Sequence, residues 1–440
     1  MSSRLIRCLA TTPELDDLFS DSSVLSALLA FESALARAQA GLGLIPASAA
    51  ASIAQAVDGV PFDTASIASA ARHAATPAIP LVNALTERVR KIDEPASRYV
   101  HFGATSQDAV DTAIVLLLKR AEPILAQDHA RLEAALRHLS EKHAATVMLA
   151  RTVLQPAPPI TFGYKAATWY GLVHRCWSAV SASFAEALQL QFGGAAGTLA
   201  SCGDQGPALA NALAAELGLP PAPPPWHTSR DRLASLVASL GIYTAALGKI
   251  ARDVSLLMQH EVAEAAETGG GSSAMPHKRN PSGCAVALAA ATRMPGLVAT
   301  FLAEMIQEHE RAAGPWQAEW ETLASCVQTA GSALSALAEA ISTLTVVPER
   351  MRQNLAATLG AVYAEKLAVI LVPQIGRAES QRLLAEAVQQ AIETAKPLRD
   401  VVSAHPVLST LLSRAQIESL DIPEDYLGAT ELFRRRLLEH

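Results

Sequence analysis

Residues 233–257 read LASLVASLGIYTAALGKIARDVSLL, and Leu233, Leu236, Leu240, Tyr243, Leu247, Ile250, Val254 and Leu257 recur there in alternating steps of three and four. That spacing lays one apolar stripe along an α-helix. The positions beside the stripe are mostly Ala, Ser, Gly and Thr, not the charges that flank an ordinary coiled coil. Small residues on every side predict a helix packed all round, at the middle of a bundle. Continued to about Ala266, the segment predicts a rod of roughly 50 Å at 1.5 Å per residue.

One stripe of that length needs other long helices beside it. Periodicity supplies them at 114–145, with Leu125, Leu132, Leu136 and Leu139 on one face, at 163–190, at 283–310 with a kink expected at Pro295, and at 317–345. Nearer the start, Asp21 or Ser22 is placed to cap a helix carrying Leu28, Phe31, Leu35, Ala38 and Leu42, ended by Gly43 and Pro46. LPPAPPPW, 219–226, predicts a stiff extended connection. The expected fold is all-α, with three helical domains: residues 1–113, a central bundle of five long helices over 114–355, and a C-terminal helical domain over 356–440. Composition agrees, since half of the 440 residues are apolar while only 5% are aromatic.

Composition also excludes partners. A net charge of -7 leaves no basic footprint for nucleic acid. Cys8, Cys176, Cys202, Cys284 and Cys326 are scattered, without CxxC or Cys/His spacing, so neither a disulfide framework nor a metal site is expected. The start of the chain is not that of a secretory leader, and no uninterrupted apolar run approaches the ~20 residues that span a bilayer. A soluble, cytoplasmic protein is the expectation.

Three stretches carry chemistry. ETGGGSSAMPHKRNP, 267–281, sets three glycines before Ser272 and Ser273 and then clusters His277, Lys278, Arg279 and Asn280. The glycines predict a mobile loop, and a serine needs nearby cations, a helix N-terminus or oriented amides before it can act as a base. Lys278 supplies charge, and a helix opening near Ser282 supplies a dipole. HFGATSQDAVDTA, 101–113, gathers His101, Thr105, Ser106, Asp108 and Asp111 ahead of an apolar run. Hydroxyls there serve as helix caps or, at a helix N-terminus, as a carboxylate seat. Arg72 and His73 form an adjacent cationic pair. Phosphate-loop, GxSxG and HExxH spacings are missing, and the glycines of FGGAAGTLAS, 192–201, follow no strand, which argues against a dinucleotide site.

GSSAMPHKRNP resembles the shared motif of the fumarase/aspartase superfamily, and HFGATSQDAVDTA and ARHAATP resemble two further regions of it, in the same order along nearly the whole chain. The resemblance implies a homotetramer whose active sites draw on several subunits, with no cofactor. Within the superfamily, RTVLQPAPPITFGYKAA, 151–167, aligns with a segment where adenylosuccinate lyases carry a general-acid histidine; Val153 stands there and cannot donate a proton. PWHTSRDR and HERAAGPWQAEW look like sequence of the 3-carboxy-cis,cis-muconate cycloisomerases, although Ser229 replaces an expected glutamine.

That branch implies interconversion of a small tricarboxylate and its lactone, 4-carboxymuconolactone, in the protocatechuate branch of aromatic catabolism. Ser272 is then expected to move the proton at carbon, with Lys278 and backbone amides stabilising an enolate-like intermediate and His101 orienting a carboxylate. Arg72, His73, Thr105, Ser106 and Asn280 would bind substrate. Arg151, Arg230 and Arg311 fit either substrate binding or ion pairing within the bundle; Arg311 is grouped with the binding residues. The alternatives are adenylosuccinate lyase or another carbon–nitrogen lyase, and a catalytically silent helical scaffold.

Overall fold

The computed structural model describes residues 4–271, 275 and 277–439. Among the described residues the chain is all-α apart from two short antiparallel strand pairs. The elements that matter here are helices α1 (Asp21–Gly41), α2 (Ser106–Lys142), α3 (Phe162–Ala187), α4 (Asp231–Leu257), α5 (Ser282–Glu304) and α6 (Pro315–Ser342), with strands β1 (Val147–Thr152), β2 (Gln155–Thr161), β3 (Ala265–Ala266) and β4 (Thr345–Val346). The cap of α1 is Ser20, just ahead of the two expected caps, and its side chain accepts the Ser23 amide at 3.3 Å.

The chain forms two compact units, each assembled from separate stretches: one from the residues up to His129, Arg175–Gly248 and Val286–Ala336, the other from Ala130–His174, Lys249–Ala285 and Leu337 onward. All five long helices contribute to both.

In the first unit the helices pack side by side. The ring of His129 on α2 stacks on Trp177 of α3 at 4.5 Å and bonds the Tyr243 hydroxyl of α4 at 2.9 Å, while Ser183 of α3 meets Ser239 of α4 at 2.9 Å. On α4 a Cβ at Gly241 would lie 2.7 Å from Val298, and one at Gly248 would lie 2.5 Å from Ala291. Such contact excludes any larger residue, so the small positions beside the apolar stripe let α4 and α5 approach. The stripe itself is buried throughout; none of its eight residues is more than 4% exposed.

The helix stops earlier than its pattern suggested. After Leu257 the chain turns, Ala263 adopts φ 51°, and Ala265–Ala266 pair with Val346 and Thr345. His260, Glu261 and Glu264 interrupt the apolar period there, and strand pairing takes over.

By length and composition α4 and α5 could each cross a membrane, with mean hydropathy 1.5 over an 18-residue stretch of each; 61% of that stretch is buried within the chain in α4 and only 22% in α5. Counting uninterrupted apolar runs missed them, because single charges such as Arg293 break the runs without making the helices polar.

In the second unit β1 and β2 form a hairpin whose tip is Val153–Leu154. Both tip residues have positive φ, 50° and 64°, and are 94% and 76% exposed. A β-branched residue in that conformation is strained. The unit's C-terminal helices close over a core that includes Leu367, Leu371, Leu383, Leu398 and Val402.

Candidate active site

Helix α2 starts at Ser106, so most of the HFGATSQDAVDTA stretch lies inside its first turns. Asp108 explains why. Its carboxylate accepts the Thr105 amide at 3.0 Å, the half of a capping box that an acidic third residue supplies. It also accepts the Gly193 and Gly194 amides at 3.0 and 2.9 Å and His227 Nε2 at 2.8 Å. The glycines of FGGAAGTLAS thus serve to bring backbone against a buried carboxylate. A Cβ at Gly193 would sit 2.6 Å from Pro225.

With Asp108 holding the helix start, the two hydroxyls turn elsewhere. Among the described residues no helix amide donates to Thr105 or Ser106. Both instead accept from Arg311, Nη1 to Thr105 Oγ1 at 2.5 Å and Nη2 to Ser106 Oγ at 3.2 Å. No carboxylate pairs with Arg311 among the described residues.

The other two arginines are ion pairs. Arg230, 2% exposed, bonds Asp111 at 2.8 Å and Glu319 at 2.6 Å. Trp316 Nε1 donates to Asp111 at 2.9 Å, and Gln307 Nε2 to Glu319 at 2.5 Å. Burial pushes the Glu319 carboxyl up to about 7 although Arg230 pulls it down, since Asp111 and Glu304 add negative charge nearby. Arg151 forms a bidentate pair with Glu264 at 2.8 and 2.9 Å.

His101 adopts φ 58° and its Nδ1 lies 2.6 Å from Glu32 Oε1 on α1. Burial works against charge on the ring, but the charge and hydrogen bond of Glu32, together with Asp108, raise its pKa above the usual histidine value. Two turns along α1, Gln39 donates to the Phe102 carbonyl at 2.6 Å. Arg72 and His73 lie in the last turn of the helix Thr64–Ala74, exposed, with no hydrogen bond or ion pair joining them to this cluster. An open cleft of about 650 Å³ in the same unit, lined by Arg37, Phe62, Thr64 and Glu216 among others, contains none of the catalytic or binding residues expected from sequence.

Lys278 and Asn280 belong to the second unit. There the Asn280 amide donates to the Gly270 carbonyl at 2.9 Å, Gly271 pairs with Arg279, and the Lys278 amide donates to the Met275 carbonyl at 3.0 Å. Gly270 has φ +65°, and a Cβ there would meet the Asn280 carbonyl oxygen at 2.2 Å. Lys278 is exposed and Asn280 half-buried. Ser272 and Ser273 lie outside the described residues.

Glu267 closes the base of this loop, accepting the Gly283 and Cys284 amides at 2.9 and 3.1 Å. The start of α5, expected to lend its dipole to an anion, is therefore already capped at those two amides. The five cysteines are free thiols, and burial pushes Cys326 up to about 12. Such a thiol is inert.

Sequence reasoning had not singled out Glu32, Gln39 or His227. Glu32 did leave a signal, as a charge between Phe31 and Leu35 on the face that the helical period assigns to the core.

An all-α chain of long packed helices, with an arginine and a histidine held at one helix start and the sequence GSSAMPHKRNP, belongs to the fumarase/aspartase superfamily. A family model described as Lyase matches residues 7–296. The chain is 45% identical over 423 residues to the 3-carboxy-cis,cis-muconate cycloisomerase of Bradyrhizobium diazoefficiens, covering 95% of this chain and 94% of that protein. It is 42% identical over 422 residues to the nitrosuccinate lyase of Streptomyces davaonensis, covering 93% of this chain and 89% of that protein. The crystal structure of the 3-carboxy-cis,cis-muconate lactonizing enzyme from Pseudomonas putida matches with a TM-score of 0.93 at 41% identity, covering 99% of this chain and 98% of that one.

Proposed function

We propose that this enzyme interconverts 3-carboxy-cis,cis-muconate and 4-carboxymuconolactone. The observation that carries the reading is Arg311, a guanidinium with two hydroxyls and, among the described residues, no carboxylate partner, set at the head of a 37-residue helix. A guanidinium, hydroxyls and a helix N-terminus together make a seat for a substrate carboxylate. His101, four residues ahead of Thr105, offers a second donor.

In the reaction a carboxylate oxygen of the substrate adds to a double bond of the diene, and the neighbouring carbon takes up a proton. The reverse step removes that proton and breaks the C–O bond. Nothing leaves the molecule, so no acid is needed for a leaving group. Val153, where adenylosuccinate lyases carry a general-acid histidine, is consistent with this. Ser272 is the proton-transfer group, Lys278 stabilises the enolate-like intermediate, and Arg72, His73 and Asn280 contact the remaining carboxylates.

The working form is a homotetramer whose sites draw on several copies. The apolar, largely exposed α5 supports association, since other copies of the chain would cover it. Five unpaired thiols suit the cytoplasm.

The 42% identity to a nitrosuccinate lyase favours a second reading, a carbon–nitrogen lyase. Nitrite also departs without an acid, so Val153 does not separate the two. Assay does. Carboxymuconate should lose its conjugated-diene absorbance when the enzyme is added, nitrosuccinate should yield no nitrite, and adenylosuccinate no purine absorbance change. Ser272→Ala should abolish turnover and leave the oligomer intact. Nitrite release in place of diene loss, or near-normal turnover by Ser272→Ala, would overturn the corresponding assignment.

A further inference from the structure

We propose that Glu32 is a positioning residue that holds His101 as an imidazolium, with its Nε2–H presented to a substrate carboxylate. The geometry is specific. His101 Nδ1 sits 2.6 Å from Glu32 Oε1, and the Glu32 side chain is 2% exposed against 17% for His101. Glu32 Oε2 has no hydrogen-bond partner among the described residues. Among the described residues the ring is therefore the sole donor to this buried carboxylate, and a neutral partner would leave a buried charge uncompensated. The bond runs through Nδ1, and Nε2 has no partner among the described residues. A carboxylate that fixes one ring nitrogen sets what the other can do.

Helix α1 also fixes the backbone that carries the ring. Gln39 lies seven residues after Glu32, hence on the same face, and donates to the Phe102 carbonyl at 2.6 Å. Two polar residues on one buried stripe thus grip consecutive residues of the HFG segment. His101 is held at φ 58°, a conformation that a non-glycine residue keeps only when its surroundings enforce it.

The charged groups acting on the ring are Glu32 from α1 and Asp108 from α2. Asp108 is itself bonded by His227, and Arg311 reaches the same helix start through Thr105 and Ser106. Because the histidine's pKa is raised, the charged form prevails at low pH and is lost as pH rises through the elevated midpoint. What Nε2–H donates to rests on the carboxylate-substrate reading above; the state of the dyad does not.

The test uses the full-length enzyme with 15N-labelled histidine, assigning His101 by its loss in His101→Asn. In the wild type the ring should titrate above the ordinary midpoint of about 6.5. Glu32→Gln, which keeps the shape but not the charge, should lower that midpoint by about one pH unit or more, a tenfold or larger change in proton affinity. It should raise the KM for carboxymuconate about tenfold near pH 7.5, move kcat less, and recover toward wild-type KM as pH falls and the variant's own ring protonates. Glu32→Asp should retain part of the shift.

An unmoved midpoint in Glu32→Gln, or a KM raised equally at every pH, overturns the proposal. If Glu32→Gln fails to fold, a wild-type midpoint at or below about 6.5 overturns it alone, and one above it with Glu32→Asp intermediate sustains it. Loss of the substrate reading would show as no turnover of carboxymuconate by wild type, which leaves the titration result standing.

Discussion

The two carboxylates around Arg230 allow a quantitative prediction about pH. One guanidinium faces both Asp111 and Glu319, and Glu304 lies near enough to add to their charge. Chiefly because burial penalises its charge, the Glu319 carboxyl stands at about 7 in the fold, against the usual 4.5. The folded state therefore binds this proton more tightly than the unfolded chain. The resulting stabilisation is fully present below pH 4.5 and is lost as pH rises through about 7. Linkage between those two values makes the loss from pH 5 to pH 8 on the order of 2–3 kcal/mol for this one group. Glu319→Gln carries no titrating proton and keeps hydrogen-bonding atoms for Arg230 and Gln307.

The assay is urea unfolding of wild type and variant at pH 5 and pH 8, at one protein concentration because association feeds into apparent stability. Wild type should lose about 2–3 kcal/mol more than Glu319→Gln between the two pH values, with other titrating groups cancelling in the difference. Parallel pH dependence in the two proteins, within about 0.5 kcal/mol, would show that Glu319 is ionised throughout and that Arg230 outweighs its burial.

Two other substitutions probe the site. Arg311→Lys keeps the charge but cannot donate in a fork to both Thr105 and Ser106, so KM for the carboxylate substrate should rise about tenfold, roughly 1.4 kcal/mol, at nearly unchanged melting temperature; an unchanged KM would remove Arg311 from the seat. Gly270→Ala places a Cβ 2.2 Å from the Asn280 carbonyl oxygen at a backbone angle that itself costs about 1–2 kcal/mol, and should lower turnover tenfold or more while the melting temperature stays close to wild type; full activity would mean that the loop base tolerates opening.

The long helices were legible because a buried stripe repeats every three or four residues whatever it packs against. Leu233 to Leu257 needed no knowledge of partners. The ends of helices were less legible. Ala265–Ala266 leave the helix to pair with Thr345–Val346, a contact no local pattern announces. The tip of the β1–β2 hairpin gave no turn signal either, because Val153 and Leu154 occupy positive φ angles that glycine or asparagine would have marked. At the site, His101, Thr105 and Ser106 were visible as a local cluster. The partner of those hydroxyls is 206 and 205 residues away, and the partner of His101 is 69 residues away. Residue types can nominate the chemistry of a motif, but only folding says which cation or carboxylate completes it.

That distinction bears on how a chain of net charge -7 would offer the proposed carboxylate seat. The carboxylates around each cluster are already committed. Asp108 is engaged by three amides and His227, Asp111 and Glu319 by Arg230, Glu264 by Arg151, and Glu267 by the first turn of α5. Each acid spends its hydrogen-bonding capacity on structure, so its field is largely cancelled close by. Arg311 is treated differently, with neutral hydroxyls in place of an acid, and His101 is bonded through only one ring nitrogen. Local positive potential arises here from the pairing pattern and not from an excess of basic residues. Placing an acid within reach of Arg311, as Thr105→Asp would, should therefore weaken carboxylate binding far more than adding the same charge to the exposed face of α1.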